Sequence, residues 1–161
     1  MSINVRKANQ KDVVSIVKMN KALALETESL ILEDQVVSLG VANCLNDPAK
    51  GSYFLAEYEG SSIGQVMFTF EWSDWRNGWI WWIQSVYIEP SFRGKGVFKS
   101  LFNHVEMLAL AQLDVVAIRL YVEIHNLIAK EVYQKVGMQH AGYEVFQKNC
   151  TPQPDSKTNY S

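Results

Sequence analysis

The residues best suited to chemistry are Arg93-Gly94-Lys95-Gly96, two basic side chains interleaved with two glycines. Glycine lets a backbone take positive φ and come close to a ligand. The apolar run from Trp79 to Ile88 stops at Glu89-Pro90 just before them, and proline cannot donate to a following ladder. Helical spacing begins just after them, at Val97, Phe98, Leu101, Phe102, Val105, Leu108 and Ala109. A turn so placed sets the unpaired first amides of a helix, and the positive end of its dipole, beside the glycines. Arg93, Lys95 and Lys99 add charge of the matching sign. The chemistry expected here is the binding of a phosphate or pyrophosphate. The plainer reading is a strand-to-helix turn with solvated basic residues. The better-known phosphate loops do not fit: there is no Gly-x-x-x-x-Gly-Lys-Ser/Thr, and Val97-Phe98-Lys99 lack the third glycine of a dinucleotide fingerprint.

Three other positions could handle protons or polar groups. Asn126 and Tyr133 lie about two helical turns apart, nearly on one face. A phenol with a pKa of about 10 is protonated at neutral pH and can donate. Equally, Ala129, Val132, Tyr133 and Val136 make a stripe that suits a core. Gln84 sits on the strand before the glycine turn, but an amide takes no proton at neutral pH. It could orient a water or a substrate, or be an ordinary polar residue of a sheet. Basicity would then come through water from Glu71, Asp74, Glu123 or His125, or from an amine that arrives neutral.

Val86-Tyr87-Ile88-Glu89-Pro90 followed by Phe92-Arg93-Gly94-Lys95-Gly96 resembles the acetyl-coenzyme A signature of the GNAT superfamily of N-acetyltransferases, Gln/Arg-x-x-Gly-x-Gly/Ala, with Ser91 at its first position. The stretch from Leu120 through Asn126 and Tyr133 to Gly137-Met138 resembles the same family's strand, asparagine, helix, tyrosine and Gly-Phe ending, with Met138 for phenylalanine. The resemblance covers most of Ile3 to Gln147. It implies an α+β (mixed α/β) chain with the GNAT acyl-coenzyme A N-acyltransferase fold: a mixed, mostly antiparallel sheet flanked by helices on both faces. It implies acetyl-coenzyme A as cosubstrate and an N-acetyltransferase acting on a primary amine, either a small molecule or a peptide.

The resemblance also assigns residues. The amides of Arg93, Gly94, Lys95, Gly96, Val97, Phe98 and Lys99 would cradle the pyrophosphate, and the edge of Val86, Tyr87 and Ile88 would pair with the pantetheine arm. The Val86 or Tyr87 amide would polarise the thioester oxygen, a contribution of the oxyanion-hole kind. Asn126 would contact the cofactor arm, and Tyr133 would protonate the departing thiolate. Gln84 stands where many members carry a glutamate. Glu28 lies in the connection that often contributes to the acceptor pocket, with Glu26 beside it; surface charge is the alternative for both.

These residues need elements to hold them. Ile3 to Ala8 suits a first strand, Asn9 caps a helix over Gln10 to Asn20, and a second helix runs from Glu33 to Asn46. Tyr53–Tyr58 and Ser62–Trp72 form a hairpin, with Val66, Phe68, Phe70 and Trp72 on one face and Gln65, Thr69 and Glu71 on the other. A second hairpin turns through Ser73–Gly78 into the long strand Trp79–Glu89. A helix from Gly94 to Gln112, a strand over Ala117–Val122, a helix to Val136 and a last strand over Gln139–Gln147 complete the chain. The boundaries expected are one domain over 1–147 and a polar, loosely ordered tail over 148–161.

All five tryptophans fall between Trp72 and Trp82. Trp79, Trp81 and Trp82 could simply fill the core. Trp72 and Trp75 could line an acceptor pocket, and Trp75, at a hairpin tip, could instead sit in a homodimer interface. Two rival functions follow: a silent module that senses acyl-coenzyme A, and an interaction domain that uses the Trp72–Trp82 hairpin. With 161 residues and a net charge of −2, the chain offers no long basic face for nucleic acid. No apolar run is long enough to span a membrane, and no apolar leader precedes Arg6. Cys44 and Cys150 have no metal or redox spacing, which fits free thiols in a cytoplasm; no metal is expected.

Overall fold

The computed structural model describes residues 1–150. Of the tail expected over 148–161, residues 151–161 lie outside the described residues. Five strands form a single sheet in chain order: β1 (Asn4–Lys7), β2 (Ser52–Tyr58), β3 (Ser61–Ser73), β4 (Gly78–Ile88) and β5 (Val115–Leu120). The first three pairings are antiparallel and the last, β4 with β5, is parallel. The hairpin between β2 and β3 turns on Glu59 (φ 49°) and Gly60 (φ 76°), the positive φ pair that matches strand twist.

Four helices cover the sheet: α1 (Val13–Glu28), α2 (Asp34–Asn46), α3 (Val97–Leu110) and α4 (Leu127–Lys135). The amphipathic stripe of α3 places Val97, Leu101, Phe102 and Val105 against Phe54, Val66, Phe68 and Ile83 on one sheet face. On the other face Ile16 and Met19 of α1 and Val41 and Cys44 of α2 meet Tyr53, Leu55 and Tyr87. Side chains such as Leu101 and Leu55, fully buried, each contribute roughly 1.5–3 kcal/mol by leaving water. A buried polar chain fixes α1 to the sheet: Gln65 Nε2 donates to Asn20 Oδ1 at 2.5 Å, and Asn20 Nδ2 donates to Tyr53 Oη at 3.2 Å.

The long strand β4 is not regular. Met67 opposes Ser85 while Phe68 opposes Ile83, so Gln84 is the extra residue of a β-bulge. The bulge resets the alternation. Trp81 and Ile83 before it, and Val86 and Ile88 after it, all pack towards α3, while Tyr87 turns to α1 and α2.

Three elements differ from expectation. The first helix runs on to Glu28 because Ala22, Leu23 and Ala24 continue a half-buried face, and it ends on Ser29 in the left-handed region (φ 51°). β5 starts at Val115 rather than Ala117, since the Trp79 amide donates to Asp114 O at 2.6 Å and draws the strand into register early. Gln139–Gln147 forms no strand: Gly142 takes φ 78°, and Tyr143, Val145 and Phe146 are exposed with no ladder partner among the described residues.

Candidate active site

The site begins where β4 and β5 part. Their parallel pairing runs from Trp79↔Val115 to Ile83↔Leu120 and stops there. β4 continues to Ile88, still paired with β3, while the chain leaves Leu120 for the turn that leads to α4. From Gln84 to Ile88, β4 therefore has an edge with no strand partner among the described residues. Its side chains are already committed: Tyr87 is 5% exposed, and Val86 and Ile88 pack in the α3 core. What remains available at Val86, Tyr87 and Ile88 is backbone, and of that the Ile88 carbonyl already accepts from Arg93.

The glycine turn follows directly. A short 3-10 turn, Pro90–Phe92, ends β4, and α3 starts at Val97 with Gly96 as its N-cap. Gly94 and Gly96 sit at φ 72° and 82°, and a Cβ built on either would find no protein atom within 4 Å. Nothing in the chain fills the space over the turn, so the positive φ serves the conformation alone. No side chain caps α3, which leaves its first amides facing outward. Lys95 Nζ lies 5.4 Å above the Phe92 ring, and Lys99 is exposed. Val97 is buried in the core, so only its amide is on offer; Phe98 is half-buried. An open strand edge that ends in an uncapped basic helix terminus fits a cofactor with a polar arm and a phosphate group.

Arg93 is engaged differently from Lys95 and Lys99. Its Nη2 pairs with Glu26 at 2.7 Å, its Nε donates to Ile88 O at 2.9 Å, and the guanidinium lies 5.6 Å from the Tyr87 ring centre. Glu26, on the last turn of α1, is thus the carboxylate at the turn. Glu28 is exposed further along the same helix end.

Tyr133 lies on α4 with its ring 5.7 Å from that of Phe98, beside the first turn of α3. Burial alone pushes its phenol pKa up, so the proton stays on oxygen across the neutral range. Asn126 caps α4, its Oδ1 accepting from the Ala129 amide at 3.0 Å. That oxygen is committed to the helix.

The bulge turns Gln84 outward on the opposite face from α3. Its Nε2 donates to Thr69 Oγ1 at 2.8 Å, which leaves its carbonyl oxygen free to accept. The same face carries Glu71, Trp82, Arg119 and Tyr121. Trp72 and Trp75 are not brought to Gln84. Trp72 stacks edge-on against Trp79 at 5.1 Å on the α3 face, and Trp75 is 89% exposed at the hairpin tip. Sequence reasoning missed Trp82 as a member of the site, and it placed Glu26 beside the acceptor without its partner Arg93. A longer first helix and the bulge were the signals needed, and neither shows in periodicity. Among the described residues no group of three or more metal-ligating side chains comes together.

The sequence profile of the Acetyltransferase (GNAT) family matches residues 19–138, from α1 through the turn after α4. The chain belongs to the GNAT family. Among solved structures it resembles a possible acetyltransferase from Clostridium difficile 630, at 38% identity and a TM-score of 0.87, over 94% of this chain and 100% of that one. Aminoglycoside N-acetyltransferase AAC(6')-Iy in complex with CoA shares the fold at 17% identity, with a TM-score of 0.78 over 93% of this chain and 96% of that one. A streptothricin acetyltransferase of Escherichia coli is 27% identical over 96 residues, which is 60% of this chain and 52% of that protein. The match thus spans about half of that relative's length. The expected mixed sheet with helices on both faces is the GNAT fold observed. Among the described residues no helix is long and apolar enough to cross a membrane.

Proposed function

We propose that this GNAT protein transfers an acetyl group from acetyl-coenzyme A to a primary amine, by direct attack within a ternary complex. The observation that carries the reading is the fork where β4 leaves β5, with Gln84 and an open strand edge at it, the Gly94/Gly96 turn following, and Tyr133 against Phe98 at the start of α3. When bound, acetyl-coenzyme A supplies the acetyl group as a thioester. The amides of residues 94–99 hold its pyrophosphate at the α3 N-terminus, where the dipole favours an anion, while the Arg93 amide is paired with Pro90 O. The edge at Val86, Tyr87 and Ile88 takes the pantetheine arm as an added strand, and the Val86 or Tyr87 amide polarises the carbonyl.

Tyr133 holds a proton at Oη for the departing sulfur. Gln84 cannot act as the base. With its Nε2 occupied by Thr69, its carbonyl oxygen accepts from the amine and aims the nitrogen lone pair, while the surplus proton leaves to water. The names of the streptothricin and aminoglycoside relatives support a small-molecule amine as acceptor. Cys44 and Cys150 as free thiols suit a cytoplasmic enzyme.

A thiol-release assay with acetyl-coenzyme A and a panel of primary amines tests this reading, with the acetamide product identified by mass. Release that depends on the amine supports it. Tight cofactor binding without release for any amine would favour the silent sensor instead.

A further inference from the structure

Outside the fork, one face of the sheet carries a charged and aromatic surface that the transfer itself does not use. Helices α1 and α2 cover β3 as far as Met67; beyond it Thr69 is half-buried and Glu71 exposed. Trp82 opposes Thr69 on one side and Arg119 on the other, so these side chains share that face with Gln84. The Trp82 ring stacks face to face on Tyr121 at 4.6 Å, with the planes 19° apart, so the two form one aromatic pair on this surface. Glu71 stands at its rim.

The charges on this surface differ in what they can reach. Arg119 is 20% exposed, its guanidinium 5.7 Å from the Trp82 ring centre and 5.4 Å from that of Tyr143. Glu71 is 50% exposed. Both of its protein contacts go to Oε2: Trp82 Nε1 donates at 3.3 Å and Arg119 Nη1 stands off at 3.8 Å. Oε1 has neither. The cation is covered and the carboxylate is open, so an incoming ligand meets an anion beside an aromatic pair.

We infer that Glu71 anchors a second ammonium group of the acceptor, and that this protein prefers diamines to monoamines. The inference rests on the acetyl-transfer reading above. Thr69, which holds Gln84, and Glu71 are two residues apart on one face of β3, a spacing of about 7 Å. The preferred acceptor therefore carries two amino nitrogens about that far apart. One is aimed at the fork by Gln84, the other pairs with Glu71 Oε1, and the apolar stretch between them passes along the Trp82–Tyr121 pair.

The test compares kcat/KM for short, intermediate and long diaminoalkanes with that for the matching monoamines, using the full chain and acetyl-coenzyme A. Intermediate diamines should exceed their monoamines on the order of tenfold, as a charge-assisted contact at a partly exposed site provides. Glu71→Gln keeps an oxygen for Trp82 Nε1 and should bring that ratio close to one. Glu71→Lys should turn the preference against diamines. Calorimetric titration of the same diamines into the coenzyme A-loaded protein and its Glu71→Gln variant reads the anchor without turnover. An unchanged ratio in Glu71→Gln, or monoamines equal to diamines in the parent protein, would overturn the inference and leave acetyl transfer standing. Cofactor binding without turnover of any amine would count against the transfer reading, and the titration would then decide Glu71 alone.

Discussion

Arg93 of the glycine turn and Glu26 of α1 meet at 2.7 Å, although 67 positions separate them in the chain. The pair joins the glycine turn to the C-terminal end of α1. Both side chains are more than 40% exposed, so the pair adds less than about 1 kcal/mol to folding. Its effect is on charge. Glu26 places a negative group beside the expected pyrophosphate and occupies the turn's arginine. Glu26→Gln should tighten acetyl-coenzyme A binding several-fold at low ionic strength, with the gain fading in high salt as screening shortens. A weaker complex in calorimetry would show that Arg93 must be held by Glu26 to work.

Gly94 and Gly96 separate stability from binding. An alanine at either position meets no protein atom but keeps the left-handed φ, a cost of about 1–2 kcal/mol. Gly96→Ala should therefore fold, melt a few degrees lower, and lose cofactor affinity by more than tenfold because its methyl group enters the space over the turn. Equal affinity by calorimetry would remove the phosphate from this turn.

Tyr133→Phe removes the proton donor and keeps the ring against Phe98. The expected outcome is a fall in kcat of roughly a hundredfold with cofactor affinity preserved. The pH profile follows in sign. Burial raises the phenol above its ordinary value of 10, so the acid form persists and activity falls only above that pH. A pH limb near neutrality that vanishes in Tyr133→Phe would contradict this.

Acid should unfold the protein partly through Asp12. Arg6 donates to both of its oxygens, at 2.8 and 2.9 Å, and to Glu57 Oε1 at 2.8 Å. The Arg6 hydrogen bonds hold the Asp12 carboxyl below its ordinary value of 3.8. A depressed folded pKa adds stability above the unfolded value, and that stability is lost as pH falls through the folded one. Asp12→Asn should lower stability by about 1–3 kcal/mol at pH 7 and flatten the acid limb of a Tm-against-pH curve. An unaltered acid limb would assign that limb to other groups.

Much of the fold was legible because local signals and tertiary demands agree. Alternation in β3 and the proline after β4 bounded the sheet, and the two glycines marked the entry to α3. The Gln84 bulge was not legible, since an extra residue exists only relative to the register of β3. The pairing of Glu26 with Arg93 was hidden because it is set by where α1 lands on the sheet. Trp72 could line an acceptor pocket by its place in the sequence, but alternation from Phe68 puts it on the α3 face, away from Gln84. Gln139–Gln147 has the residues of a strand without a paired neighbour. A strand needs a ladder as well as a pattern.

Acetyl-coenzyme A binding decides whether the fork is a cofactor site, and a thermal melt with free coenzyme A and ATP alongside reads it simply. A ligand at a hundred times its Kd adds about 2.7 kcal/mol, a rise of roughly 5–11 °C for a domain of this size. The expected result is a rise of that order with acetyl-coenzyme A and none with ATP. No rise at saturating acetyl-coenzyme A, or an equal rise with ATP, would contradict the site at the turn of Gly94 and Gly96.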